Sequence, residues 1–400
     1  MSKLIEKLFD ENSFMKVGVG SDENLIFGYG TVSGRLVYCF SQDSQIKNGA
    51  CDELQIDKII RTYKMAVKSG APIVGIFNSS GIVLNKGMNV MEKLGELYKI
   101  QKEEGWAIPQ YMIVDGRCGG GLALAASMGD FLFVNEDDGD YFINSKDTLP
   151  KGDFKEKNQA VDYVGGEDEI VSKLRQLIDI LPANTVEGPE HLPESTDLNR
   201  GCQVALGQDD LVRTLAKEVS DDGNFIETNT AQTSGVVTGF DLINGNLVGI
   251  VGNNRKEKES RLDTDGCNKM SKFVDFCDRF QIPVVTFVDV DGFACEYETE
   301  VSFSTAAANL VGVLAKAGVP RVNVIVGKSL GSCHGILNSH GLGVDYVFAW
   351  EGAEVGLMDS ERYGLIYGEE SDASYQGAVD KIIYPQDTRK YLIGVLETLV

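Results

Sequence analysis

Only three histidines, His191, His334 and His340, occur in the 400 residues. A Ser–His or Cys–His catalytic pair must recruit one of them. His191 lies in a polar, proline-containing stretch, and only His334 follows a candidate turn. The eight cysteines (39, 51, 118, 202, 267, 277, 295 and 333) form no CxxC pair. That spacing argues against a four-cysteine zinc site, and no metal is expected. Cations are scarce: 37 Lys and Arg stand against 60 Asp and Glu, a net charge of −23. Nucleic acid and anionic membrane surfaces both call for clustered cations, so neither is an expected partner. No apolar run approaches the ~20 residues that span a bilayer, so no membrane insertion is expected. Residues 1–7 (MSKLIEK) carry no apolar signal stretch. The expectation is a cytoplasmic protein.

What is present is glycine, 45 residues, well above the usual ~7% share. Many glycines recur at one offset. Gly28 and Gly34 precede the run Leu36–Phe40, as Gly239 and Gly245 precede Leu247–Val251. Pro72 and Gly81 match Pro283 and Gly292, and Pro109, Gly116 and Gly120 match Pro320, Gly327 and Gly331. Each pair is 211 residues apart, which reads as an internal duplication.

Helical periodicity runs through 51–68, 89–104, 265–280 and 305–316. Short β-branched runs at 73–77, 111–114, 284–288 and 322–326 read as buried parallel strands. Alternating strands and helices indicate an α/β fold. The expected organisation is a first domain over 1–182, a connector over 183–233 with one helix near 209–219, and a second domain over 234–400. A last helix is expected over 388–399, after Pro385.

Two turns carry candidate chemistry. Gly116-Arg117-Cys118-Gly119-Gly120-Gly121 and Gly327-Lys328-Ser329-Leu330-Gly331-Ser332 both follow a strand and precede a helix. Without a Cβ, such a turn lets a ligand atom approach backbone N–H groups that lack helical partners. They can hold an oxyanion without a charged side chain. Tight strand-to-helix packing is the plainer alternative for either turn alone; their matching positions favour function. The first reads GxxGGG, so it is not a dinucleotide fingerprint. Adjacent Lys328 and Ser329 lack the geometry of a Ser–Lys pair.

Longer stretches resemble the carboxyltransferase subunits of biotin-dependent acyl-CoA carboxylases and decarboxylases, the type of propionyl-CoA carboxylase β and methylmalonyl-CoA decarboxylase α. Leu8–Phe14 resembles the family's opening motif. Lys272–Pro283 followed by Val288–Phe293, the Ala349-Trp350 and Ala353-Glu354 pairs, and Asp380–Pro385 resemble its second half. The resemblance implies duplicated crotonase-like (ClpP/crotonase) β-β-α spiral units, the first taking the acyl-CoA and the second the biotin. It implies that Gly120 and Gly121 hold the thioester enolate, beside Ser79, Ser80, Gly81, Cys118 and Gly119. In the second half it implies roles for Gly292, Phe293, Glu296, Tyr297, Gly331 and Ser332 at the biotin ureido group. It also implies biotin on a separate biotin carboxyl carrier protein, coenzyme A thioester as substrate, and a homodimer or higher homo-oligomer. Because the ureido group can itself take the proton, no histidine base is required.

The chain departs from the family in two loops. Asn78-Ser79-Ser80-Gly81-Ile82-Val83 lacks the family's arginine, and Cys295-Glu296 stands where the family has Pro-Gly. Two other readings stay open: a catalytically silent subunit that scaffolds an active partner, and another crotonase-type acyl-thioester enzyme with a side-chain base over Gly120 and Gly121.

Overall fold

The computed structural model describes residues 3–18, 24–83, 87–144, 159–191, 197–231, 235–255, 260–295, 297–367 and 377–400. The chain divides into two compact units, 1–188 with 230–232, and 189–229 with 233–400.

In the first unit, seven strands lie in the order Met15–Lys16, Leu25–Val32, Arg35–Gln42, Ile73–Phe77, Gln110–Val114, Phe131–Asn135, Tyr163–Gly165. The first three are antiparallel neighbours and the rest pair in parallel. Ile73–Phe77, Gln110–Val114 and Phe131–Asn135 are buried at every residue. Strands covered on both faces read as continuous apolar runs, which is why the sequence marks them so clearly. Parallel neighbours need crossovers, and here helices Glu53–Ser69 and Asn89–Glu103 supply two of them. Asp52 caps the first, accepting from the Leu54 N–H, and Gln55 completes the capping box. Gly70, at φ 60°, closes it.

The second unit repeats the order: Ile226–Thr228, Val236–Ile243, Asn246–Asn253, Val284–Val290, Arg321–Leu330, Tyr346–Trp350, Lys381–Ile383. Its antiparallel start and parallel continuation are the same. The 211-residue offset reaches individual hydrogen bonds. Asp10 accepts from Ser33 N (3.0 Å) and Gly34 N (2.8 Å) of one hairpin turn. Asp221 accepts from Asn244 N and Gly245 N, both at 2.8 Å, in the other. Each aspartate pairs with an arginine, Arg175 at 2.9 Å and Arg389 at 2.7 Å. Asp263 caps helix Thr264–Arg279 as Asp52 caps its counterpart. The bridge Cys51↔Ile82 has its equivalent in Leu262↔Phe293.

The helix expected near 209–219 is Leu211–Val219, and with strand Ile226–Thr228 it belongs to the second unit. The helix read over 305–316 begins earlier, at Tyr297, and runs to Lys316. No described helix is long and apolar enough to cross a membrane.

Candidate functional site

The first turn is built by the ends of two strands. After Gln110–Val114 the chain passes Asp115 and Gly116, and Arg117–Gly119 pairs in parallel with Asp140–Phe142. Helix Gly121–Ser127 follows, with Gly120 at its N-cap (φ 57°, ψ −126°). A Cβ at Gly116 would stand 2.2 Å from Asn78 Oδ1, and one at Gly121 would stand 2.9 Å from both Leu94 Cδ1 and Tyr98 Oη. Gly120 differs. A Cβ there meets nothing within 4 Å, so its constraint is conformational and its open side faces free space. Its own N–H donates to Phe142 O at 3.1 Å. The Tyr98 hydroxyl donates to Gly121 O at 2.8 Å. The next N–H groups, of Gly121 and Leu122, belong to the first helical turn, where no intrahelical acceptor exists.

The second unit repeats this construction. A Cβ at Gly327 would stand 2.2 Å from Asp289 Oδ1, as Gly116 does from Asn78. Gly331 (φ 58°, ψ −144°) caps helix Ser332–Ile336, and its N–H donates to Gly356 O at 2.8 Å. Ser329 Oγ lies 2.9 Å from His334 Nδ1. Burial, aided by the neighbouring His340, lowers the His334 pKa and favours the neutral ring. Gly292 has φ 134° with open space around it, and Phe293 packs on Phe303 with centroids 4.5 Å apart. Cys295 is exposed and takes a contact from Arg261 Nη1 at 3.3 Å. Tyr297 opens its helix 80% exposed, and Ser332 is exposed too. Glu296 lies outside the described residues.

The remaining candidates divide by burial. Ser79 is buried: its hydroxyl donates to Gly49 O at 2.7 Å and accepts from Gly81 N at 3.1 Å. It ties down the loop. Cys118 is fully buried, and burial drives its thiol far above the ordinary range, which removes it as a nucleophile. Gly119 packs against the Phe142 ring. Gly81 has φ 109° and open space. Ser80 lines a cavity of about 590 Å3 with Ser44, Asn48, Asn78, Asp115, Gly116, Arg117 and Asp138. Burial raises the Asp115 pKa, against an opposing hydrogen bond from Asn135 Nδ2 at 2.9 Å.

Sequence reasoning missed Ser44, Asp115 and Tyr98. The 211-residue offset could have flagged Ser44, whose counterpart is Arg255. Nothing in the local pattern marks Tyr98. Among the described residues no group of three or more His, Cys, Asp or Glu side chains could hold a metal ion.

A family model described as "Carboxyl transferase domain" matches residues 3–152 and 155–390. Methylmalonyl-CoA decarboxylase subunit alpha of Veillonella parvula is 28% identical, over 99% of this chain and 89% of the relative. Propionyl-CoA carboxylase beta chain of Roseobacter denitrificans is 29% identical, over 94% of this chain and 83% of its own length. A transcarboxylase 12S crystal structure, with methylmalonyl-coenzyme A and methylmalonic acid bound, superposes with a TM-score of 0.91 at 24% identity. It covers 99% of this chain and 88–89% of the 12S chain in two such structures. That likeness fixes the fold as the duplicated crotonase-like one. With the family model spanning both units, the chain belongs to the carboxyl transferase domain family.

Proposed function

We propose that this chain moves a carboxyl group between an acyl-CoA and biotin borne on a separate carrier protein, with the thioester in the first unit and biotin in the second. The carrying observation is the pair of glycine-capped turns, Gly120–Gly121 and Gly331–Ser332, with matching backbone angles in the two halves.

The residues fit an enolate oxygen in the first turn. Gly120 keeps its outer face open, and the N–H groups of Gly121 and Leu122, in the first helical turn, have no intrahelical acceptor. Fixed donors of this kind stabilise developing negative charge without reorganising, worth ~10²–10³ in rate per donor. Tyr98 holds the Gly121 carbonyl. Burial raises its pKa, so it stays a donor at neutral pH and not a base. The heavy atoms nearest a side chain at 121 belong to Leu94, Tyr98 and Ile82.

Biotin, when bound, supplies the ureido group to and from which the carboxyl moves. In the second unit the N–H groups of Ser332 and Cys333 would hold it, flanked by the open Gly292–Phe293 segment. The cavity of about 590 Å3 beside the first turn falls in the range of small-molecule sites. Arg117, 63% exposed at its rim, lies 3.8 Å from Asp140 and would exchange that loose contact for a phosphate. A homodimer or larger homo-oligomer and a biotin carboxyl carrier protein are the partners this reading calls for.

The test is loss of malonyl-CoA or methylmalonyl-CoA on incubation with the purified chain, with and without free biotin. Biotin-dependent loss is expected. A folded chain that binds neither biotin nor a CoA thioester would overturn the reading. One that binds the thioester without turnover would point to a scaffolding subunit, for which the altered Cys295-Glu296 loop is the specific motive.

A further inference from the structure

The two units carry the same cavity at equivalent positions and fill it differently. In the first unit it is lined by Ser44, Asn48, Asn78, Ser80, Asp115 and Asp138, with Arg117 at the rim. In the second unit, Arg255, Ser260, Asp291 and Lys328 line a space of about 290 Å3. Ser44, Asn78, Ser80 and Arg117 correspond to Arg255, Asp289, Asp291 and Lys328, each by 211 residues. The register across this segment has no gap. Asp43 N donates to Asn24 O and Asn254 N to Gly235 O, both at 2.8 Å and both 211 apart.

We propose that the Arg255–Asp289 pair closes the second unit to a coenzyme A head group that the first unit admits, and so fixes which half takes the thioester. This rests on the assignment of the thioester to the first unit. Arg255 holds Asp289 in two-pronged fashion, Nε to Oδ2 at 2.6 Å and Nη2 to Oδ1 at 3.2 Å. Asp289 is buried and also accepts from Lys328 N at 2.8 Å. To admit a ligand the guanidinium would have to swing away and leave that buried carboxylate without its counter-charge, held only by Lys328 N and Ser260 Oγ, a costly state. In the first unit the short Ser44 and the neutral Asn78 impose no such cost. Both cavities carry carboxylates, Asp115 and Asp138 in the first and Asp291 (3.4 Å from Lys328) in the second, so the difference rests on the guanidinium and its partner.

The experiment is calorimetric titration of the full chain with coenzyme A, with melting curves to verify folding. Wild type should bind one coenzyme A per chain. Moving the pair into the first unit (Ser44→Arg with Asn78→Asp) should weaken binding at least tenfold; affinity within threefold of wild type would overturn the proposal. Should that variant unfold, the reverse exchange decides. Arg255→Ser with Asp289→Asn should add a second coenzyme A per chain, and a stoichiometry that stays at one overturns the proposal. A wild type that binds no coenzyme A is a different failure: it overturns the placement of the thioester itself.

Discussion

Replacing Gly120 with alanine should slow carboxyl transfer by ~10²–10³-fold while KM changes little. At φ 57° and ψ −126°, Gly120 occupies backbone space that L side chains rarely adopt. Nothing within 4 Å would collide with the new methyl, so strain is isolated from crowding. That strain is about 1–3 kcal/mol. The cheapest relief is rotation of the 120–121 peptide, which turns the Gly121 N–H away from its target. One donor is then lost, a cost of about 2.7–4 kcal/mol in the transition state. Gly34→Ala is the control. Gly34 also has positive φ (79°) and open surroundings, but it sits in the hairpin turn over Asp10. It should lose comparable stability, roughly 2–4 °C in Tm per kcal/mol for a unit of this size, with kcat unchanged. The assay is biotin-dependent turnover of methylmalonyl-CoA with kcat and KM separated, beside melting curves. A Gly120→Ala enzyme within twofold of wild-type kcat would refute the reasoning, as would an equal loss of kcat in Gly34→Ala.

Three further outcomes follow from the same structure. Asp241 is buried, its Oδ2 has no hydrogen-bond partner, and burial pushes its pKa from 3.8 up to about 7. The folded state therefore holds this proton more tightly than the unfolded chain, so the contribution is full below pH 3.8 and is lost as pH rises to about 7. Asp241→Asn should abolish that decline and raise Tm at pH 8, which melting curves across pH will show. Asp221→Ala should cost roughly 3–5 kcal/mol because it strands Arg389, which is 0% exposed, as an unpaired buried charge. Asp10→Ala should cost about 1–3 kcal/mol, because the part-exposed Arg175 can turn to water; urea unfolding of both variants measures the gap. Among the eight cysteines only Cys295 is exposed. A thiol reagent should titrate one thiol per native chain and eight after unfolding.

Much of the scaffold was legible because its signals are local or repeated. The strand Ile73–Phe77 and the helix Thr388–Leu399 fall where the apolar runs and Pro385 place them. The offset of 211 survives as paired contacts, Gly116 on Asn78 and Gly327 on Asp289. Those partners themselves were not legible: residues 78 and 116 meet only because two parallel strands end side by side. Tyr98 escaped for a similar reason, since one tyrosine on an amphipathic helix does not announce that its hydroxyl reaches Gly121 O. The early start of helix Tyr297–Lys316 was hidden by Glu298 and Glu300, which read as a solvated loop. The closing of one cavity by Arg255 and Asp289 required both halves to be compared in three dimensions.

The most direct measurement follows a carboxyl label. Methylmalonyl-CoA carrying ¹⁴C in its free carboxyl is incubated with the chain and biotin, and the biotin and CO2 fractions are counted. Label appearing there only when biotin and chain are both present, and suppressed in Gly120→Ala, is the expected result. Label that stays on the thioester, or leaves it equally fast without biotin, would contradict carboxyl transfer by this chain.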